Sequence, residues 1–213
     1  MNKRVVIVDY GIGNIFSVKR AVEVSGAADV IVSERADDIL YADKVILPGV
    51  GAFEDGMKGL RERGLIHPLK NAAQEGKPIL GICLGMQLMA TTSEEFGIHE
   101  GLSLIPGKVQ AIPKFSVDGR RLKVPFIGWS TLNAYGSQFA EYSGLGDPRK
   151  MAVYLVHSFH FLPSNPDYLL ADYEYGGHRI NAAVRRGNLL GVQFHPEKSG
   201  SVGLGVLNKF IGS

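Results

Sequence analysis

The sequence holds little of what would assign it quickly. It has one cysteine in 213 residues, so it cannot close an internal disulfide or build a cysteine-rich zinc site. Its charges nearly cancel: 23 lysines and arginines stand against 21 aspartates and glutamates, a formal net charge of +2. No nucleic-acid partner is expected, because a dedicated binder carries a strong basic bias. No apolar run approaches the roughly 18 residues that span a membrane. Lys3 and Arg4 precede an apolar stretch that ends at Asp9, too short for the apolar region of a signal peptide. A soluble, cytoplasmic protein is expected. There is no G-x-x-x-x-G-K-[ST] phosphate loop and no H-E-x-x-H zinc motif, although His157 and His160 stand three apart. Neither a metal nor a cofactor is expected. Gly11-Ile12-Gly13-Asn14 opens like a dinucleotide fingerprint, but Phe16 fills the third glycine position and would crowd the helix–strand contact. With no repeat, low-complexity tract or linker, residues 1–213 are expected to form one domain.

The rest of the composition is that of a globular protein, 45% hydrophobic and 21% charged. Glycine is in excess: 27 residues, about twice the usual share. The first half alternates short apolar runs with helix-like stretches. Val5–Val8, Val30–Val32, Lys44–Leu47 and Pro78–Ile82 read as strands, the first of them buried on both faces. Asn14 is placed to cap a helix carrying Ile15, Val18 and Val22 and stopping near Gly26. Met57, Leu60, Leu65 and Leu69 continue helical spacing after the third strand, and Leu84–Ala90 resumes helix after the fourth. From Gly107 to Val192 the turn signals Asp118-Gly119, Asn165-Pro166 and Gly176-Gly177 suggest antiparallel hairpins. Asn133–Lys150 reads as a surface loop, Leu189–Phe194 as a return to the central sheet, and Leu204, Leu207 and Ile211 as a closing helix. The expected fold is α/β, with a mostly parallel central sheet flanked by helices and antiparallel additions in the second half.

The single cysteine lies in Gly81-Ile82-Cys83-Leu84-Gly85, a strand, then G-x-C-x-G, then a helix. That is the spacing of a nucleophile elbow, whose sharp turn lifts the side chain above the carboxyl end of the sheet. The segment reads equally as a core cysteine beside packing glycines. His195-Pro196-Glu197 follows a predicted strand. Proline pushes His195 into extended backbone, and there residues i and i+2 share a side. Glu197 could hold one imidazole nitrogen while the other faces Cys83, giving nucleophile, base and orienter. His67, His99 and His178 fit an ordinary structural role better. Pro48-Gly49-Val50-Gly51 is a tight turn able to present the Gly51 N–H to an oxyanion, with the N–H of Leu84 as its partner donor. By itself, that motif is only a turn.

At these residues the chain resembles the class I glutamine amidotransferases. Gly81-Ile82-Cys83-Leu84-Gly85-Met86-Gln87 with His195-Pro196-Glu197 carries the likeness. Tyr10–Asn14, Leu47–Gly51, Gly128-Trp129 and Val192–Ser199 narrow it to the glutaminase subunits of imidazole glycerol phosphate synthases, over residues 5–211. The resemblance implies a Cys83-His195-Glu197 triad that hydrolyses glutamine to glutamate and ammonia. It implies a heterodimer in which ammonia passes to a cyclase subunit with a (β/α)₈ barrel fold, making imidazole glycerol phosphate and an aminoimidazole carboxamide nucleotide in histidine biosynthesis. It also implies that Gln87, Glu95, His157, Ser158 and Phe159 bind substrate, the last three mainly by main-chain groups. Asn14, Trp129 and Lys198 are implied on the partner face. Residue type alone would make Glu94-Glu95 a solvated helix end, Trp129 a core residue and Lys198 a solvated one. The chain departs from the family's Pro-His-x-Gly-Trp-Asn pattern, reading Pro125-Phe126-Ile127-Gly128-Trp129-Ser130. Alternatives are an ammonia-supplying paralogue in surface-sugar synthesis, a γ-glutamyl hydrolase, an inactive binding or scaffold protein and, more weakly, a dehydrogenase.

Overall fold

Strands with no polar position are stable only when both faces are covered. The computed structural model, which describes residues 3–135, 139 and 151–213, places four strands at its centre that are apolar throughout or, in the first two, apolar after a leading Arg4 or Lys44. In chain order these are β1 (Arg4–Val8), β3 (Lys44–Leu47), β4 (Ile79–Ile82) and β14 (Leu189–Val192), with β2 (Asp29–Ser33) outside β1. All pair in parallel, in the order β2-β1-β3-β4-β14. The sheet continues antiparallel through β13 (His178–Arg186), β12 (Leu169–Tyr175) and a short edge strand β9 (Asn133–Ala134). The period of two in a strand sorts the side chains. Val5 and Ile7 enter the core under α1 (Ile15–Val24) and the C-terminal helix Gly200–Gly212. Val6 and Val8 enter the opposite core with α2 (Ala36–Leu40), α3 (Phe53–Glu62), α4 (Ile66–Gln74) and α5 (Leu84–Leu88). Each fully buried aliphatic side chain contributes about 1.5–3 kcal/mol, so these two layers dominate stability.

The α/β architecture is the expected one, and four details differ. The antiparallel strands do not all join the main sheet. β8 (Phe126–Thr131) and β10 (Ala152–His157) make a separate pair, and β11 (Phe159–Pro163), β7 (Gly107–Ala111), β5 (Thr92–Ser93) and β6 (His99–Glu100) make a small sheet of their own. The helical spacing from Met57 to Leu69 is cut into α3 and α4 at Gly64, whose φ of +67° leaves the helical region. Asn14 stands at the N-cap of α1 but makes no side-chain cap bond. Of the expected loop 133–150, Asn133 and Ala134 pair as an edge strand and Phe139 is buried and helical. Residues 136–138 and 140–150 lie outside the described residues. Among the described residues no helix is long and apolar enough to cross a membrane.

Candidate active site

Parallel strands deliver the loops that follow them to one edge, where α/β sites form. The loops after β1, β3, β4 and β14 carry Gly11–Asn14, Pro48–Gly51, Cys83 and His195–Glu197. The turn at Cys83 is strained: its φ is +55° and ψ −111°, a region that costs a non-glycine residue about 1–3 kcal/mol. Neighbouring packing enforces it. A Cβ on Gly81 would lie 2.8 Å from the Gly85 carbonyl group, and one on Gly85 would lie 1.7 Å from the Leu47 carbonyl oxygen. The Cys83 N–H donates to the Val192 carbonyl at 2.8 Å, fixing the elbow to β14. The sulfur faces a cleft of about 250 Å³. Gly51, Leu84, Gln87, Glu95, His157, Ser158, Phe159 and His195 also line that cleft, so it gathers most of the residues singled out in the sequence.

His195 is held from every side. Its N–H donates to the Tyr154 carbonyl at 3.1 Å, and its own carbonyl accepts from the Ser199 hydroxyl at 2.7 Å. Its Nδ1 lies 2.9 Å from Glu197 Oε1. The pairing is the expected one, but the backbone path is not. His195 is extended, whereas Pro196–Lys198 closes a 3-10 turn that swings Glu197 back onto the ring. Glu197 Oε2 is buried without a hydrogen-bond partner among the described residues, so the carboxylate acts on the imidazole alone. Burial opposes charge on the ring. Hydrogen bonds and attraction from Cys83 and Glu197 outweigh it and raise His195 to about 10. The site therefore holds an imidazolium between a sulfur and a carboxylate at neutral pH.

His157, across the cleft, is used differently. Its Nδ1 lies 2.8 Å from the Phe159 carbonyl, which can only accept, so Nδ1 carries the proton. Its Nε2 then accepts from the Tyr173 hydroxyl at 2.8 Å. Burial lowers His157 to about 4, despite the bond to Phe159. The ring is a neutral brace whose nitrogens are both engaged within the chain. The Ser158 carbonyl is also committed, accepting from the Ile112 N–H at 2.9 Å.

Glu95 is not a solvated helix end. It is buried beyond β5, and Oε2 accepts from the Phe53 N–H at 2.7 Å. Burial raises its pKa, against the pull of that N–H and of His99. Glu94, by contrast, is exposed and pairs with Lys108 at 2.8 Å. The Pro48–Gly51 turn is anchored by Tyr10, whose hydroxyl donates to the Pro48 carbonyl at 2.6 Å. Tyr10 is buried and burial raises its pKa, with the Cys83 charge adding to it, so the hydroxyl stays protonated. The Leu84 N–H is in the first turn of α5, where a helix leaves its donors unpaired.

Trp129 is 58% exposed and its ring packs on Tyr154 at 6.0 Å; Lys198 Nζ stands 5.8 Å from the same Tyr154 ring. Asn14 is exposed beside the Pro48–Gly51 turn, for a Cβ on neighbouring Gly13 would come within 3.8 Å of Gly49 Cα. Trp129 is thus a surface residue, not the core residue its type suggests. Alternation along β8 turns Phe126 inward, onto Tyr173 at 5.0 Å, Tyr175 at 4.8 Å and His157 at 6.3 Å. The aromatic ring at the position where the family pattern has a histidine therefore joins the packing that seats His157. Gln193, Tyr10, Tyr173 and Ser199 received no role from the sequence. Tyr10, Gln193 and Ser199 stand inside motifs that did, whereas Tyr173, in β12, stands in none of them.

The family model for class-I glutamine amidotransferases matches residues 6–211. Imidazole glycerol phosphate synthase subunit HisH 1 of Legionella pneumophila (strain Paris) is 49% identical over 207 residues, 96% of this chain and 97% of that one. Subunit HisH of Geobacillus thermodenitrificans is 43% identical over 206 residues, 97% of this chain and 94% of that one. Among solved structures, PurLQS from Thermotoga maritima aligns with a TM-score of 0.75 at 21% identity, over 100% of this chain and 99% of that chain. A glutamine amidotransferase from Methylobacillus flagellatus gives 0.60 at 18%, over 95% of this chain and 73% of that one. At those identities the two structures speak for the fold alone.

Proposed function

The chain belongs to the class-I glutamine amidotransferase family, and on that premise we propose that it is the glutaminase subunit of an imidazole glycerol phosphate synthase, acting in the cytoplasm. Cys83 attacks the side-chain amide carbon of glutamine. The Gly51 and Leu84 N–H groups receive the charge that develops on the amide oxygen. His195 passes its proton to the departing nitrogen, which leaves as ammonia, and a glutamyl thioester remains on Cys83. Water, deprotonated through His195, then cleaves the thioester to glutamate and restores the sulfur. Glu197 keeps the ring oriented and offsets its positive charge. The buried Glu95 carboxylate is the partner for the substrate's ammonium, and Gln87 and the His157–Phe159 strand end line the rest of the cleft. One observation carries the reading: a strained cysteine elbow facing an imidazole held by a carboxylate at 2.9 Å.

Ammonia is consumed by a cyclase subunit with a (β/α)₈ barrel fold, which docks over Asn14, Trp129 and Lys198. Exposure of Trp129 and Ile127 on β8, at 58% and 52%, supports a partner there. Cys83→Ala should abolish glutamine-dependent cyclisation in the reconstituted complex, by about 10⁴-fold or more, while ammonium salts still support it. Undiminished glutamine-dependent turnover in that variant would overturn the reading. A γ-glutamyl hydrolase would instead cleave γ-glutamyl peptides without any partner.

A further inference from the structure

The triad leaves one residue in contact with the sulfur unexplained. Gln193 follows β14 with its N–H bound to the Ala182 carbonyl at 2.8 Å, and its side chain is wholly buried. A buried amide is stable only with both its donor and its acceptor engaged. Its surroundings dictate which way it points. The Phe159 carbonyl can only accept, so Gln87 turns its Nε2 there, at 2.9 Å. The same nitrogen donates to Gln193, which must meet it with Oε1, also at 2.9 Å. Gln193 is left with its Nε2 for the Cys83 sulfur, at 3.6 Å. The hydrogen-bond chain from the Phe159 carbonyl to the sulfur therefore has one polarity. It ends on a donor, which favours a sulfur that accepts, the thiolate, over one that must donate its hydrogen.

We infer that Gln193 is a positioning residue of the reaction: its amide holds the Cys83 sulfur as an acceptor and turns Gln87 so that only Gln87 Oε1 faces the substrate. Gln87 then recognises an N–H donor of the glutamine and rejects an acceptor in its place. This second half rests on the glutaminase reading; the first half does not. The other groups around the sulfur are His195 with Glu197 behind it, Tyr10 from the loop after β1, the Val156 carbonyl at 4.0 Å, and neutral His157 from β10. All of them remain when Gln193 is replaced.

The chain's single cysteine makes the test clean, because iodoacetamide then reads Cys83 alone. Alkylation rates of the full chain are measured from about pH 5 to about pH 10. Gln193→Met keeps the volume and removes both hydrogen bonds. Its profile should move to higher pH, slowing the reaction at pH 7 about tenfold. Gln193→Glu keeps an acceptor for Gln87 but sets an anionic oxygen on the sulfur, and should slow it further. A folded Gln193→Met chain whose profile superimposes on that of the unmodified protein would overturn the inference. Should neither variant fold, the unmodified chain still decides. Its Gln193 side-chain amide resonance must shift when Cys83 is alkylated, and an unmoved resonance refutes the contact. Neither readout uses glutamine hydrolysis, so failure here is distinguishable from failure of the glutaminase reading.

Discussion

The two walls of the cleft each present a buried histidine, and the two are set in opposite charge states. On the elbow wall, His195 stands between Cys83 and Glu197 and is raised to about 10. On the facing wall, His157 stands between a carbonyl and a protonated hydroxyl and is lowered to about 4. Burial penalises the imidazolium in both places. What separates them is whether the second neighbour is an anion or a dipole. The proposed mechanism moves a proton at His195 and leaves His157 to hold shape, and one residue type serves both.

The largest test of that contrast is Glu197→Gln. It keeps the shape and removes the charge, so His195 should titrate far lower and glutaminase turnover should fall about 10³- to 10⁴-fold. Steady-state assay of the complex and a histidine NMR titration check the two parts. Unchanged turnover would mean that the carboxylate only orients.

Stability against pH should show the same contrast with opposite signs. His195 binds its proton more tightly folded than unfolded. Its contribution is complete below about pH 6.5 and is lost as pH rises toward about 10. His157, and His160 with it, refuse in the folded state a proton that the unfolded chain accepts, so stability is lost as pH falls from 6.5 toward about 4. Chemical denaturation across that acid window should show the loss, and His157→Gln should reduce it.

Substitutions that leave one or both walls untouched should have smaller effects. Trp129→Ala should weaken partner association by about 2 kcal/mol, roughly thirtyfold, without moving either histidine's titration. Binding calorimetry against the cyclase decides it. Tyr173→Phe removes one bond to His157 and should cost about 1 kcal/mol in a denaturant melt, with the His195 titration intact.

The elbow wall was legible in the sequence because its chemistry is local. Gly81, Cys83 and Gly85 stand within five positions, and His195 and Glu197 within three. Even there the 3-10 turn replaced the extended backbone expected between the last two. The central strands were legible because Val5–Val8, Val45–Leu47 and Ile79–Ile82 have no polar position to expose. The other wall was reached only through the family resemblance, because its packing depends on contacts distant in the chain. Tyr173 meets His157 from another sheet and Phe126 packs on both; on the elbow wall, the same holds for Gln193, which reaches back to Gln87 and Cys83 across more than a hundred residues. The second half also divided into separate small sheets, since turn signals mark where a chain reverses and not which strand it then pairs with.

The proposed hydrolysis turns on Cys83 carrying the acyl group while ammonia leaves. Mixing the partner-bound protein with isotopically labelled glutamine, quenching in acid and mapping the label by mass spectrometry tests this most directly. A labelled glutamyl adduct should form on the peptide containing Cys83 before glutamate accumulates, and it should be absent in Cys83→Ala. Label on another residue, or glutamate released at full rate by the Cys83→Ala complex, would contradict it.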